Sequence, residues 1–400
     1  MRTLLTAAKL WDGQRLIDDP IVTVEDGLIA SISAGEGGQK PPPAGADVRD
    51  FPDAVLAPAF FDVHIHGAAG HDLMEATPGA LSSVGRFLAS HGTGSYLATT
   101  VTASVDATLR ALEGLAKLID HPEKIDAAHG GGPLAARPVG IHLEGPFLSN
   151  AKCGAQPREH LLAPDIAVFD RFFEAAGGHA RLITLAPELP GAAELAAHAT
   201  ARGVRVSMGH SDAKAAETRA VIAAGAVSAT HTFNAMRALN HQEPGILGVV
   251  LTEDTLYAEL ICDGIHSAPE MSKLFWRAKG HERGILITDA MSATGMPDGE
   301  YLLGNFPVQV ANGRAMIHGV LAGSVLTLDR ALSNFVKFAG APLKDALRLL
   351  TANPATMTGF QDQVGVLAVG RTANMVAVDG SGRLMASIRN GEPVPRFSAA

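Results

Sequence analysis

A chain of 400 residues that is 47% hydrophobic and 18% charged can bury a large core, which excludes a disordered protein. Its formal net charge of −9 argues against nucleic acid as a partner, because phosphate backbones are bound by concentrated Lys and Arg. Two cysteines are too few for a disulfide framework and favour a cytoplasmic location, and no apolar run is long enough to span a membrane.

Both ends of the chain predict short β-strands. Near the start, strands are expected at residues 4–13, 21–27 and 28–33, with Asp-Gly turns at Asp12-Gly13 and Asp26-Gly27. Near the end, the same pattern covers residues 364–370, 374–380 and 384–391. We therefore expect both termini to combine into one small β-sandwich domain, made of residues 1–57 and 360–400.

The segment between the termini, residues 58–359, alternates short apolar strands with Ala/Leu-rich helical stretches, which is typical of a parallel α/β core. Gly/Pro-rich loops are expected at 34–46 and 126–138. Eight strands are expected, at 60–66, 94–100, 138–144, 181–186, 204–209, 227–231, 257–262 and 284–288. Eight βα units predict an α/β fold of the closed (β/α)8 TIM-like barrel type.

The unit that follows the fifth strand illustrates the pattern. Ser211 or Asp212 is placed to cap a helix over residues 213–224, and Gly225 is placed to end it.

Ionisable residues recur where the predicted barrel strands end. They are His64 and His66 at the end of the first strand, Glu144 at the end of the third, His210 at the end of the fifth, His231 at the end of the sixth and Asp289 at the end of the eighth. In a barrel, strand ends that are distant in sequence meet on one face, where active sites lie. Four imidazoles and two carboxylates there predict a site for Zn²⁺ or Fe²⁺, and residues two apart in a strand, such as His64 and His66, point the same way.

Each of these residues also has an ordinary structural explanation. A single histidine beside an apolar strand is more often a hydrogen-bonded core residue, Glu144 could form a turn with Gly145-Pro146, and Asp289 could cap a helix. The joint pattern favours the metal, because six candidate ligands at five strand ends are improbable as unrelated structural residues.

At these motifs the sequence resembles the amidohydrolase superfamily over nearly its whole length. Within it, the chain looks like the N-acetylglucosamine-6-phosphate deacetylase family, because of the stretches HLEGPF, GHSDA, THTFNAM, CDGIHS and TDAMSATG. Many relatives bridge two metals with a carboxylated Lys on the fourth strand. Here that strand reads LITLAPE and has no Lys, so the resemblance implies that Glu144 supplies the carboxylate.

The remaining roles also follow from the resemblance. It implies that Glu144, His210 and His231 hold the main metal ion, and that His64 and His66, bridged by Glu144, hold a second, so that one or two ions bind. A metal lowers the pKa of a bound water to roughly 7, and Asp289 would take its proton and deliver it to the leaving amine.

For the substrate, the resemblance implies contacts from the backbone at Asn234 and Ala235 and from His266, with the loop after Pro146 closing over the acetamido group. Gln156 stands where some relatives have His, and it can still hydrogen-bond the substrate. Gln242 stands where relatives have a phosphate-binding Arg. Arg237 or His241 could substitute for that Arg; otherwise phosphate recognition is weakened.

The predicted function is therefore deacetylation of N-acetyl-D-glucosamine 6-phosphate, by a homodimer if the resemblance extends to assembly. Because of Gln242, N-acetylgalactosamine 6-phosphate or a non-phosphorylated N-acetyl amino sugar remains an alternative substrate. A different class, a non-catalytic barrel scaffold, is disfavoured by the presence of all six candidate metal and acid/base residues.

Overall fold

Eight parallel strands form a barrel at the centre of the molecule. The computed structural model describes residues 2–34, 47–128, 132 and 134–397. The barrel strands, first to eighth, are Phe60–Ile65, Thr93–Thr100, Arg137–Glu144, Ala180–Leu185, Arg205–Met208, Ala226–Ala229, Tyr257–Ile261 and Gly284–Ile287. Each begins and ends within two residues of the predicted bounds, so the α/β barrel prediction is confirmed.

The barrel closes where its first and eighth strands end. Asp289 donates its backbone N–H to the carbonyl of His64 at 2.9 Å, and His66 donates its own to the carbonyl of Ala290 at 2.8 Å. Every residue of the first and second strands is buried, as expected for parallel strands covered on both faces. Closure thus occurs at the level of the candidate site residues themselves.

Helices surround the barrel. They are Pro78–Ser90, Val105–Asp120, Pro122–Ala127, Ile166–Ala175, Ala192–Ala201, Ala215–Ala223, Gly245–Thr252, Pro269–Arg283, Leu328–Ala339, Leu343–Arg348 and Ala352–Thr358. Single 3₁₀ turns occur at Leu73–Glu75, Asn150–Lys152 and Arg158–His160, and a two-residue hairpin pairs Gly67–Ala68 with His71–Asp72. None of the helices in the described ranges is both long and apolar enough to cross a bilayer.

The predicted cap of the helix after the fifth strand is wrong. The helix spans Ala215–Ala223, and at its start the Glu217 carboxylate accepts the backbone N–H of Lys214 at 2.7 Å. Ser211 and Asp212 lie too early in the chain to cap it. The hydroxyl of Ser211 instead donates to Glu188 at 2.8 Å.

The two termini share one eight-stranded sheet, here called the terminal sheet. Its strands are Arg2–Trp11, Leu16–Asp18, Pro20–Glu25, Leu28–Ala34, Asp47–Pro58, Met375–Val378, Leu384–Arg389 and Glu392–Pro393. It has its own apolar cluster, which includes Leu5, Val22, Leu56, Met375 and Ile388. The domain boundaries at 57, 58, 359 and 360 stay a prediction. The loop predicted at 34–46 lies, after residue 34, outside the described residues, as do residues 129–131 and 133 of the second loop.

One predicted strand, residues 364–370, is wrong. This segment has no strand hydrogen bonding and docks on the terminal sheet through single bonds, from Leu367 N–H to the Asp12 carbonyl and from Gly370 N–H to the Ile29 carbonyl. Gly365 has φ +82°, and a Cβ there would lie 2.6 Å from the carbonyl oxygen of Thr351. The backbone at Gly365 therefore packs closely against Thr351, and the segment does not form the expected strand.

A four-stranded antiparallel sheet between the eighth strand and helix Leu328–Ala339 was not predicted. Its strands are Gly299–Leu303, Phe306–Ala311, Arg314–Ile317 and Val320–Leu321. Leu303, Val308 and Val310 pack with Val101 and Met291, which follow the second and eighth barrel strands. This inserted sheet thus covers the carboxyl end of the barrel beside Asp289.

Arg389 joins the terminal sheet to the barrel. Its guanidinium is buried and donates to the Gly94 carbonyl at 2.8 Å and to the Ala135 carbonyl at 3.1 Å. Burial, with repulsion from Arg137, lowers the pKa of Arg389 to about 10.

We expect Arg389→Met to destabilise the protein by about 1–3 kcal/mol, because two buried carbonyls lose their donors. The change should appear as a lower denaturant midpoint with unchanged metal content. Arg383→Met is the matched control, since Arg383 forms an exposed ion pair with Asp379 that contributes at most about 0.5 kcal/mol. Equal midpoints for the two variants would show that the Arg389 contacts do not stabilise the junction.

Candidate metal centre

Six side chains converge at the carboxyl end of the barrel. His64 lies within the first strand, with His66 just after it, and Glu144 is the last residue of the third. The other three, His210, His231 and Asp289, each lie two residues beyond the end of their strand, the fifth, sixth and eighth respectively. The structure thus brings all six candidates together, while their chemical roles stay predictions.

Glu144 is shared by two groups of three potential ligands. In the first group, Nε2 of His64 and Nε2 of His66 each lie 3.4 Å from an oxygen of the Glu144 carboxylate. In the second, Nε2 of His210 and Nε2 of His231 each lie 3.2 Å from Oε1 of Glu144. The ligand atoms of each group lie within 4.8 Å of one another, so each group can surround one ion.

Three of the site residues have left-handed backbone conformations. His210 has φ +46°, His231 has φ +30° and Asp289 has φ +50°. Non-glycine residues rarely adopt such angles, and they persist only where surrounding contacts hold them. For His210, the carbonyl accepts the backbone N–H of Ser149, and the next residue, Ser211, donates to the carbonyl of Ala235. The strain aims these side chains inward after their strands have ended.

The second nitrogen of three imidazoles faces a hydrogen-bond acceptor. Nδ1 of His66 lies 3.3 Å from the Thr99 carbonyl, Nδ1 of His210 lies 2.9 Å from the Lys152 carbonyl, and Nδ1 of His64 lies 3.3 Å from the carboxylate of Glu259. An N–H at Nδ1 satisfies each acceptor and leaves the Nε2 lone pair facing Glu144. The donor set therefore fits a divalent cation bound through imidazole nitrogen and carboxylate oxygen.

The electrostatics of the metal-free site also favour a cation. Burial lowers the pKa of His66, but hydrogen bonds and attraction from Asp289 and Glu144 outweigh it and raise that pKa to about 9. Burial raises the pKa of Asp289, but the positive charge of His64 and the hydrogen bond from His66 lower it to about 2. Burial raises the pKa of Glu144, but the positive charge of His64 and hydrogen bonds with His210, His231 and His64 hold it well below its ordinary value. Protons on His64 and His66 thus compensate the carboxylates where no cation is bound.

Two buried carboxylates beside the site were missed by the sequence analysis. Glu259 lies in the seventh strand and contacts His64. Asp62 lies two residues before His64 and accepts the hydroxyl of Thr288 at 2.6 Å; burial raises the pKa of Asp62 to about 7. The available signal was a single acidic residue inside each of two mainly apolar barrel strands.

Gln156 is bound within the site. Its Nε2 donates to the Glu144 carboxylate at 2.6 Å, and its Oε1 accepts the backbone N–H of Thr102 at 2.9 Å. The predicted substrate residue thus holds the shared carboxylate in this structure, and its contact with substrate stays a prediction. The same loop approaches the site again at Gly154, where a Cβ would lie 3.3 Å from Cε1 of His210.

The other predicted substrate residues lie in two strand-end loops. Nδ1 of His266 contacts the Asp263 carboxylate at 2.7 Å, and this contact lowers the pKa of Asp263 against the effect of burial. The side chain of Asn234 donates to the His231 carbonyl at 3.3 Å, and Ala235 has φ +50°. Asn234 and Ala235 thus form the turn that carries His231.

The proposed phosphate residues are differently placed. Gln242 and His241 are exposed, and Gln242 makes only a backbone hydrogen bond, to Asn240, among the described residues. Arg237 donates to the Asp212 carbonyl at 2.6 Å and to its carboxylate at 2.8 Å. Because Asp212 occupies the guanidinium, Arg237 is less able to replace a missing phosphate-binding Arg.

Comparison with known proteins identifies close relatives. The sequence profile of the amidohydrolase family matches residues 55–397. N-acetylglucosamine-6-phosphate deacetylase from Bacillus subtilis (strain 168) is 36% identical, over 94% of this chain and 93% of the relative. N-acetylgalactosamine-6-phosphate deacetylase from Escherichia coli O157:H7 is 37% identical, over 95% and 96%.

Among solved structures, an aspartate-to-alanine variant of N-acetyl-D-glucosamine-6-phosphate deacetylase from Mycobacterium smegmatis, in complex with N-acetyl-D-glucosamine-6-phosphate, superimposes with a TM-score of 0.88. Its sequence is 34% identical, and the match covers 98% of this chain and 99% of that one. The likeness therefore extends through the terminal sheet as well as the barrel.

We expect cation binding at pH 7 to release at least one proton. The pKa of His66 in the metal-free site is about 9, so a cation must displace that proton, and affinity should rise with pH up to about 9. Calorimetric titration of Zn²⁺ into metal-free protein, in two buffers of different ionisation enthalpy, measures the release. Identical heats in both buffers would contradict the prediction.

Proposed function

The chain belongs to the amidohydrolase family, and from this membership we propose that it hydrolyses the acetamide of N-acetyl-D-glucosamine 6-phosphate to D-glucosamine 6-phosphate and acetate. Relatives that carry this name align over nearly their whole length, which supports the assignment. The observation that carries it is the pair of ligand groups joined by Glu144, with the Asp289 carboxylate 3.2 Å from Nε2 of His66.

The residues that would hold the cation are those of the two ligand groups. We propose that Glu144, His210 and His231 bind the main ion, and that His64 and His66 share Glu144 to bind a second. Zn²⁺ or Fe²⁺ suits imidazole and carboxylate donors, at one or two ions per chain, which elemental analysis measures. When bound, the cation would polarise the amide carbonyl and make water a better nucleophile.

Asp289 is the proposed acid and base. Its carboxylate is ionised at neutral pH, because its pKa is about 2 in the metal-free site, so it can accept the proton that the attacking water loses. As the carbon–nitrogen bond breaks, the same proton passes from Asp289 to the leaving nitrogen. The left-handed backbone of Asp289, and the hydrogen bond from its N–H to the His64 carbonyl, hold the carboxylate beside His64 and His66 of the first ligand group.

Substrate recognition is proposed for residues around the metal centre. His266, and the backbone at Asn234 and Ala235, would contact the sugar phosphate, and Gln156 would face the acetamido group beside Glu144. The hydrogen bond from Nδ1 of His266 to Asp263 supports this role, because it directs the opposite ring nitrogen away from Asp263. The loop after Pro146 already packs against His210 through Ser149 and Lys152.

A second candidate substrate is N-acetylgalactosamine 6-phosphate. The E. coli relative named for that activity is as similar as the glucosamine enzymes. Exposure of Gln242 and occupation of Arg237 by Asp212 also favour a site with weaker phosphate selectivity, including non-phosphorylated sugars. A non-catalytic scaffold is not supported, since the named relatives are enzymes.

The homodimer and the cytoplasmic location stay predictions. The first rests on family resemblance, and the second on the two unpaired cysteines, Cys153 and Cys262.

We expect the protein to release acetate from N-acetylglucosamine 6-phosphate in the presence of Zn²⁺ or Fe²⁺, and Asp289→Asn to lower kcat by about 10²–10⁴-fold. Because the amide is nearly isosteric with the carboxylate, fold and metal content should stay close to those of the parent. Acetate release and elemental analysis of both proteins measure the two effects. Parent-level turnover by the variant would show that Asp289 transfers no proton.

We expect Gln242→Arg to increase selectivity for phosphorylated sugars roughly fivefold to tenfold, because a charged donor replaces a neutral amide and gains on the order of 1 kcal/mol. The measurement is KM for glucosamine and galactosamine N-acetyl sugars, each with and without 6-phosphate. Gln14→Arg, an exposed position in the turn after the first strand of the terminal sheet, adds the same charge far along the chain from the site. Equal selectivity in the two variants would mean that residue 242 does not face the phosphate.

A further inference from the structure

Glu259 is a buried carboxylate whose surroundings provide little compensation for its charge. It lies in the seventh strand with no exposed surface. Among the described residues no Lys or Arg pairs with it, and its single ionic contact is the His64 ring. Burying a carboxylate with so few partners is unfavourable, so this residue is a poor choice for stability alone.

One oxygen of Glu259 contacts both ligand groups. Oε2 lies 3.3 Å from Nδ1 of His64 in the first group, and it accepts the backbone N–H of His231, in the second group, at 3.3 Å. The other oxygen, Oε1, is buried and has no hydrogen-bond partner in the described part of the chain. The carboxylate is thus directed at the metal centre and not at a structural network of its own.

The contact determines which nitrogen of His64 faces the cation. Because the Glu259 carboxylate accepts at Oε2, Nδ1 of His64 carries a proton, so the lone pair offered to a bound cation would be that of Nε2. That Nε2 lies 3.3 Å from Nε2 of His66 and 3.4 Å from Glu144, in the first ligand group. A carboxylate behind a metal-binding imidazole orients the ring and increases its basicity, typically with 10–100-fold effects on metal affinity.

Asp62 does not provide the same function. It also lies beside His64, but it bonds the Thr288 hydroxyl and the backbone N–H of His64, and does not contact the ring. Asp62 therefore ties the first strand to the eighth, whereas Glu259 is the carboxylate that contacts the ring.

We propose that Glu259 is a positioning residue that fixes the tautomer and orientation of His64, and that it selectively strengthens cation binding by the group of His64, His66 and Glu144. This inference rests on the proposed function, because it requires a bound divalent cation. The two groups therefore depend on Glu259 unequally. In the first group Glu259 orients the ring of a proposed ligand, His64, whereas in the second it only accepts one backbone N–H, that of His231.

The test is stepwise titration of metal-free protein with Zn²⁺ against a competing chelator. Glu259→Gln keeps the shape and removes the charge, and His66→Asn identifies which binding step belongs to the first group. We expect Glu259→Gln to weaken that step about 10–100-fold and the other step less than threefold. Glu259→Asp keeps the charge but withdraws it by one methylene, and should give an intermediate loss.

Asp329→Asn is the matched control. Asp329 is a carboxylate that contacts Nδ1 of His91, also at 3.3 Å, and His91 precedes the second barrel strand, at the end of the barrel opposite the site. This variant should leave both Zn²⁺ steps unchanged.

Three results would overturn the inference: unchanged affinity in Glu259→Gln, equal weakening of both steps, or a parent protein that binds Zn²⁺ only through the second group. A parent protein that binds no Zn²⁺ at all would instead contradict the proposed metal dependence. Circular dichroism of apo Glu259→Gln should show a folded protein, because glutamine keeps the shape of the side chain and its amide oxygen can still accept a hydrogen bond.

Discussion

The carboxylate of Glu144 is the point on which the functional end of this molecule depends. Four imidazoles from three other strands, with Gln156, approach its two oxygens within 3.4 Å. A buried cluster of carboxylates is unfavourable unless protons on the imidazoles or a bound cation compensate its negative charge. The barrel makes this cluster possible, because closed parallel strands bring side chains from residues 64 to 289 to one face.

The sequence was sufficient for the barrel and for the members of the cluster. Buried parallel strands are continuous apolar runs, so their positions were visible within two residues, and polar residues at their ends were conspicuous. The H-x-H spacing gave the common direction of His64 and His66. The sequence pattern could not predict that both ligand groups share Glu144, since distances between strand ends depend on how the barrel closes.

The failures have identifiable physical causes. Residues 364–370 alternate like a strand, but a glycine that passes close to Thr351 prevents pairing. Ser211 and Asp212 are good capping types, yet the turn that carries His210 uses them before the helix begins. The inserted sheet at 299–321 and the role of Glu259 depend on tertiary neighbours that no local period records.

The left-handed residues of the metal centre have a consequence for how this protein can change. A non-glycine residue in that conformation costs roughly 1–2 kcal/mol, so His210, His231 and Asp289 together offset a substantial part of the about 5–15 kcal/mol by which a domain is stable. Glycine would relieve this cost at each position while deleting the proposed ligand or the proposed acid–base group. Random drift towards a more stable fold therefore leads away from activity at these three positions, and only selection for turnover keeps them as they are.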